Sequence, residues 1–315
     1  MASRDVEYQR YVDYVQSANT LFHFMRQLKY LKTILTKRAI VPRYCIENVD
    51  YLNIQNGDST FSNIAVLQKC FCDIPMHKLA DTFSVTGTGK NFAMLKAEEK
   101  LQVEHNNTHF DLYGGFAIGF SKAWSESKKL QPIHYLNTSS SSYSSHFQGL
   151  LSNALTADDM PDEFSDDILY RLAFIKPLRG VMQRSFQRES GETVSVDIYK
   201  NFHDECEWRF VPDHATIVPG IPGNVVADER IVKSDTLLKY LNQQLEEDTS
   251  SRLWLRFDFD DIRYLIVPEA SDRIELINTI MAIPDEMFLP TENINLQKHI
   301  LISKILVLSE IRKDW

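Results

Sequence analysis

Asn201-Phe202-His203-Asp204-Glu205-Cys206-Glu207-Trp208-Arg209-Phe210-Val211-Pro212 carries two acids, at 205 and 207, into an aromatic-rich run that a proline closes. The run alternates and favours β structure. If it enters a strand there, Glu205 and Glu207 project from one face, with Cys206 and Trp208 on the other. Two carboxylates side by side at a strand end form either a solvated rim or the wall of a site. Arg209 shares the face of Glu207, placed to pair with it or to contact a phosphate. Cys206 is a poor nucleophile, because flanking acids raise a thiol pKa.

The same pattern of short apolar runs extends in both directions. Leu21-Phe22-His23-Phe24-Met25 reads as a buried strand, and Leu28, Leu31, Ile34 and Leu35 follow at the spacing of one helix face. Tyr113-Gly114-Gly115-Phe116-Ala117-Ile118-Gly119-Phe120 reads as a strand whose glycines admit close backbone approach. Ser234 stands where a helix N-cap belongs, ahead of Leu237, Leu238, Leu241 and Leu245. Asp73 stands as a cap ahead of Pro75 in a short helix. A helix over residues 1–18 precedes all of this, and an α/β extension covers about residues 232–315. Strands and helices alternate without a repeat, which gives an α+β class: mixed, mostly antiparallel sheets with flanking helices in a single domain over 1–315.

The 315 residues are 43% hydrophobic and 24% charged, ordinary for a globular core. A net charge of −9 carries no overall basic field for nucleic acid, which leaves a local groove as the place for one. The most basic stretch is 169–188, with Arg171, Lys176, Arg179, Arg184 and Arg188. Cys70 and Cys72 lack the spacing and the second pair of a zinc site, so no metal centre is expected. Gly87-Thr88-Gly89-Lys90 lacks the phosphate-loop spacing and reads as a loop. The opening residues hold no apolar leader and no run reaches spanning length, so a cytoplasmic protein with no membrane association is expected.

Four stretches in fixed order carry a resemblance. They are Leu21-Phe22-His23-Phe24, Cys70-Phe71-Cys72-Asp73-Ile74-Pro75, His109-Phe110-Asp111-Leu112-Tyr113-Gly114 with Gly119-Phe120-Ser121-Lys122-x-Trp124, and the Glu205–Pro212 region. Together they resemble the AbiGi-type abortive phage-infection family over roughly residues 20–315. That resemblance implies a phage-resistance component with a toxin or antitoxin partner.

More distantly, His23 on a first strand, an aromatic on a later one and Glu207 on a late one are similar to the His–Tyr–Glu arrangement of ADP-ribosyltransferases. His23-Phe24-Met25 departs from the His-x-Thr opening of that superfamily. The likeness implies an ADP-ribosyltransferase-like fold, NAD as the substrate, and a macromolecular acceptor such as RNA or DNA. It implies Glu207 as the carboxylate facing the ribosyl cation, with Glu205 orienting or deprotonating the acceptor. His23 and Tyr113 would hold the ribose and the nicotinamide, with His109 and Arg209 as further cofactor-binding residues. His109 itself sits in a polar stretch and reads as exposed. Two other functions stay open: a non-catalytic antitoxin or sensor, and a metal-dependent nuclease built on Asp204, Glu205 and Glu207.

Overall fold

The computed structural model describes residues 17–56, 59–88, 92–105, 107–156, 162–188, 190–213, 220–249, 251–290 and 293–314. Of the helix expected over 1–18, residues 1–16 lie outside the described residues, as do Gly89 and Lys90 of the glycine-rich loop.

A nine-stranded sheet organises the chain. Its central strand is β1 (Thr20–Met25), all but one of whose residues are buried. The remaining strands are β2 (Arg43–Asn48), β3 (Asn63–Cys72), β5 (Phe116–Ser121), β6 (Gln131–Pro132), β11 (Glu207–Phe210), β12 (Val225–Val226), β13 (Ile262–Val267) and β14 (Ile305–Val307). The order along the sheet is β14-β13-β5-β1-β3-β11-β6, with β2 and β12 on the first half of β3. A separate antiparallel sheet joins β4 (Val85–Thr88), β9 (Arg179–Gln187) and β10 (Thr193–Asn201). A parallel pair joins β7 (His134–Leu136) to β8 (Ile175–Pro177). Among the described residues, β13–β14 is the one parallel pair within the large sheet, so the chain is α+β with mostly antiparallel pairing, as expected.

Helix α1 (Leu28–Lys37) buries Leu31, Ile34 and Leu35, the face its spacing dictates. With α7 (Ala270–Met281) and α8 (Ile294–Ser303) it covers one side of the sheet. Leu21, Ile118, Phe120, Leu265, Leu276, Ile280 and Leu301 meet there in the largest core cluster. Each such side chain contributes about 1.5–3 kcal/mol of burial. Helix α6 (Asp235–Glu247) starts at Ser234, whose hydroxyl accepts from the Leu237 amide, as expected. The strands β13 and β14 of the C-terminal region are built into the sheet edge.

Candidate active site

The sheet forks between β1 and β3. The two strands run antiparallel and meet at one register position, Phe22 opposite Cys72. Past it, β1 stays on β5 through all six of its residues, while β3 goes with β11. His23 spans the opening: its Nδ1 lies 2.8 Å from the carbonyl oxygen of Cys70. The fork holds a chamber of about 190 Å3. Phe22, Phe24 and Phe71 make its walls apolar, and its polar groups include His23, His109 and Tyr113, together with Glu47, Glu205, Glu207 and Lys176.

Tyr113 reaches the chamber from a helix, not from the strand that its glycines suggest. Helix α3 (His109–Tyr113) is closed at its start by a Thr108/Asp111 capping box and at its end by Gly114, at φ +111°. A Cβ on residue 114 would collide with the carbonyl oxygen of Met25. The capping box fixes the register, so residues four apart share a face. His109 and Tyr113 therefore stack, with ring centres 4.6 Å apart, and His109 packs on Phe24 at 4.4 Å. His109 is buried, correcting the exposed position its polar neighbours suggest, and its Nδ1 has no hydrogen-bond partner among the described residues. Burial lowers the pKa of both histidines to about 3. Lys69 adds to the effect at His23. Both imidazoles are neutral at physiological pH.

Glu205 and Glu207 do not stand on one strand. A short 3-10 turn, Phe202–Glu205, precedes Cys206, which takes a left-handed conformation at φ +44°, and β11 begins only at Glu207. The kink nevertheless aims both carboxylates inward, and both are buried. Lys176 Nζ bridges them, 2.8 Å from Glu205 Oε2 and 3.0 Å from Glu207 Oε2. Glu205 Oε1 accepts from Lys200 Nζ at 2.8 Å and from the Tyr113 hydroxyl. Arg209 Nε donates to Glu207 Oε1 at 2.6 Å, its Nη2 donates to Glu47 at 3.0 Å, and its Nη1 to the Ala173 carbonyl at 2.7 Å. Three carboxylates thus face three cations in the interior, the arrangement buried charge requires.

Burial alone would raise both glutamate pKa values. Lys176 and Lys200 reverse this at Glu205, and Arg209 and Lys176 reverse it at Glu207, so both lie below the ordinary carboxylate value. Burial, reinforced by Glu205, raises the Tyr113 phenol well above its ordinary value, which keeps it a donor. Arg209 is wholly buried and committed to protein partners, so it does not offer the phosphate contact expected of it.

Sequence reading missed Lys176, Lys200 and Glu47. Lys176 appears there only as part of a basic stretch, yet it turns inward. From the same stretch, Arg188 pairs with Glu99 and Glu192, and Arg184 donates to Asn107. Asp73, expected as a helix cap, instead pairs with buried Lys122 at 2.5 Å.

A second, larger cavity of about 460 Å3 adjoins the chamber, sharing His23, Phe24 and Tyr113 with it. Its outer walls come from α1 and from the strands below. Among the described residues, no three His, Cys, Asp or Glu side chains are grouped to hold a metal ion. Likewise, no described helix is long and apolar enough to cross a membrane.

A family model described as "Putative abortive phage resistance protein AbiGi, antitoxin" matches residues 100–268, the segment that contains His109, Tyr113, Lys176, Lys200, Glu205 and Glu207. The abortive phage resistance protein AbiGi of Lactococcus lactis subsp. cremoris is 31% identical over 282 residues, covering 88% of this chain and 100% of that relative. No solved structure matches the chain.

Proposed function

This chain belongs to the AbiGi family of abortive phage resistance proteins, and on that premise we propose that it is a phage-defence effector transferring ADP-ribose from NAD to a macromolecular acceptor. The observation that supports the reading is the shared chamber. His23 from β1, Tyr113 from α3 and Glu207 from β11 are far apart in sequence and line one cavity at the fork. The finer fold assignment, ADP-ribosyltransferase-like, belongs to the same proposal.

In this reading Glu207 faces the ribosyl carbon as the bond to nicotinamide breaks. The bonding electrons leave on the nicotinamide nitrogen, and a fixed carboxylate stabilises the positive charge left behind. Arg209 and Lys176 keep Glu207 ionised at all physiological pH values. Neutral His23, its Nδ1 at the Cys70 carbonyl, directs Nε2 to a ribose hydroxyl. The Tyr113 and Phe24 rings supply an apolar wall for the leaving ring. Glu205 is better suited to positioning than to proton abstraction, because two ammonium groups make its carboxylate a weak base.

A second reading, a non-catalytic antitoxin that binds a partner toxin, is favoured by two observations. One is the antitoxin in the family model's description. The other is that Glu205 and Glu207 are each already engaged by two cations. The nuclease reading weakens for the latter reason, since a divalent ion must displace Lys176 to reach both carboxylates.

The test is incubation of the purified chain with NAD and cell extract. Nicotinamide release and labelled-product formation are expected, and both should vanish in a folded Glu207→Gln variant. Absence of release with wild-type protein and every extract fraction, together with neutralisation of a co-encoded toxin, would establish the antitoxin reading instead.

A further inference from the structure

We propose that the outer cavity is a phosphate-binding site, with Lys69, Lys29 and Arg26 as the groups that hold the anion. The chain carries a net charge of −9, yet five cations and a single carboxylate, Glu246, line this cavity. Such a concave basic patch on an acidic protein focuses an anion-attracting field.

The cations differ in how committed they are. Arg43 pairs with Glu246 at 2.8 Å, and Lys37 donates to the Glu246 backbone and lies over the Trp254 ring. The Lys69 side chain makes no hydrogen bond or ion pair with any described residue, although the residue is half-buried on β3. Burial, with Arg43 close by, lowers its pKa. The carboxylate that acts on this ammonium, Glu246, is already paired with Arg43, so the cavity holds more positive than negative charge. An anion in the cavity compensates it.

The mouth adds a second feature. Helix α1 begins at Leu28 without a side-chain cap, since Gln27 makes none. The Tyr30 amide turns back onto the Gln27 carbonyl, and Arg26 and Lys29 flank this end on the exposed side, Arg26 with a 3.4 Å contact to the Leu112 carbonyl. Two exposed cations and a half-buried lysine thus share one cavity that opens onto the chamber through His23.

This deepens the transferase reading, on which its purpose rests. Whole ligands of drug size occupy about 300–1,000 Å3, so the chamber accommodates one end of a dinucleotide and the remainder extends outward. Phosphate chemistry at the outer site has two sources: the diphosphate of the donor, or the backbone of a nucleic-acid acceptor. Lys29 and Lys37 are separated along α1 by about 12 Å at 1.5 Å per residue, longer than one diphosphate.

Binding of pyrophosphate, ADP and a labelled single strand of roughly ten nucleotides should be measured separately from turnover, by calorimetry and fluorescence anisotropy at low salt. Lys69→Met keeps the half-buried stem, and Arg26→Gln/Lys29→Gln changes two exposed residues and removes the long Arg26 contact to the Leu112 carbonyl. Lys69→Met should retain the wild-type unfolding midpoint or exceed it, and the double variant should lose no more than about one hydrogen bond's worth of stability. Affinity for pyrophosphate or ADP is expected to fall about tenfold or more in each. If the strand is the natural source, its salt slope should also fall by about one for each cation removed. Competition between ADP and the strand identifies overlap of the two. Unchanged affinity in both variants, or no binding of any of the three probes to wild type, overturns the proposal. Retained pyrophosphate binding in a protein that releases no nicotinamide supports the cleft and counts against the transferase reading alone.

Discussion

Lys176 Nζ lies 3.0 Å from Glu207 Oε2, in the interior. The same ammonium lies 2.8 Å from Glu205, so it holds together two carboxylates that would otherwise repel each other. Lys176→Met should leave that pair undercompensated and cost about 3–5 kcal/mol of stability. Urea unfolding measures it. A wild-type midpoint would mean that the carboxylates are hydrated, not buried as a salt-linked group.

Glu207→Gln removes the carboxylate proposed to act on the ribose, and also the counter-charge of Arg209 and Lys176. It should therefore lose nicotinamide release and lose stability by a few kcal/mol, so the two readouts must be taken together. The stability loss follows from the ion network, because both cations keep their burial and lose a shared counter-charge. Tyr113→Phe is the cleaner companion. It keeps the ring and removes one donor from Glu205, at a cost of about 1.5–3 kcal/mol.

Acid should weaken the protein through its histidines before it reaches its glutamates. His23 and His109 have folded pKa values of about 3, below the unfolded 6.5. Between those values the unfolded chain binds more protons, so stability falls as pH falls through that window. The slope is up to about 1.4 kcal/mol per pH unit for each histidine. Glu205 and Glu207 have lowered folded pKa values, so their contribution is present above the unfolded value of 4.5 and is lost below it. Thermal midpoints measured from pH 8 to pH 4 check this. In a His109→Phe variant the drop below pH 6.5 should become shallower.

Gly114→Ala should displace Tyr113. Its φ of +111° is foreign to a residue with a Cβ, and the added atom meets the Met25 carbonyl. A loss of at least about 1–2 kcal/mol is expected from the backbone alone. Weaker tyrosine quenching changes on ligand addition would report the altered chamber wall.

Apolar spacing made β1, α1, the Ser234 cap and the mostly antiparallel class legible from sequence, because each rests on neighbours within a few residues. Glu207, His23 and Tyr113 were legible as types, but their meeting depends on the fork, which no local pattern encodes. Tyr113 was read into a strand because Gly114 and Gly115 suit a strand bend as well as a helix end. Cys206 hid the kink, since a left-handed cysteine has no sequence mark. Lys176 and Lys200 were hidden for another reason: a lysine in a basic run looks solvated until a buried acid is found opposite it. Glu47 lies on β2, 160 residues before Glu207, and only the fold brings it to Arg209.

The strands that frame His23 come from far apart along the chain. β1 lies between β3 and β5, and β5 in turn rests on β13, whose residues are 262–267. During synthesis, therefore, the wall that carries His23 has no complete support until the ribosome has entered the last fifth of the sequence. Pairing over such separations is slow, because the intervening loop must first close. The residues that line the chamber therefore come together on a complete sheet only once residues 262–267 are in place.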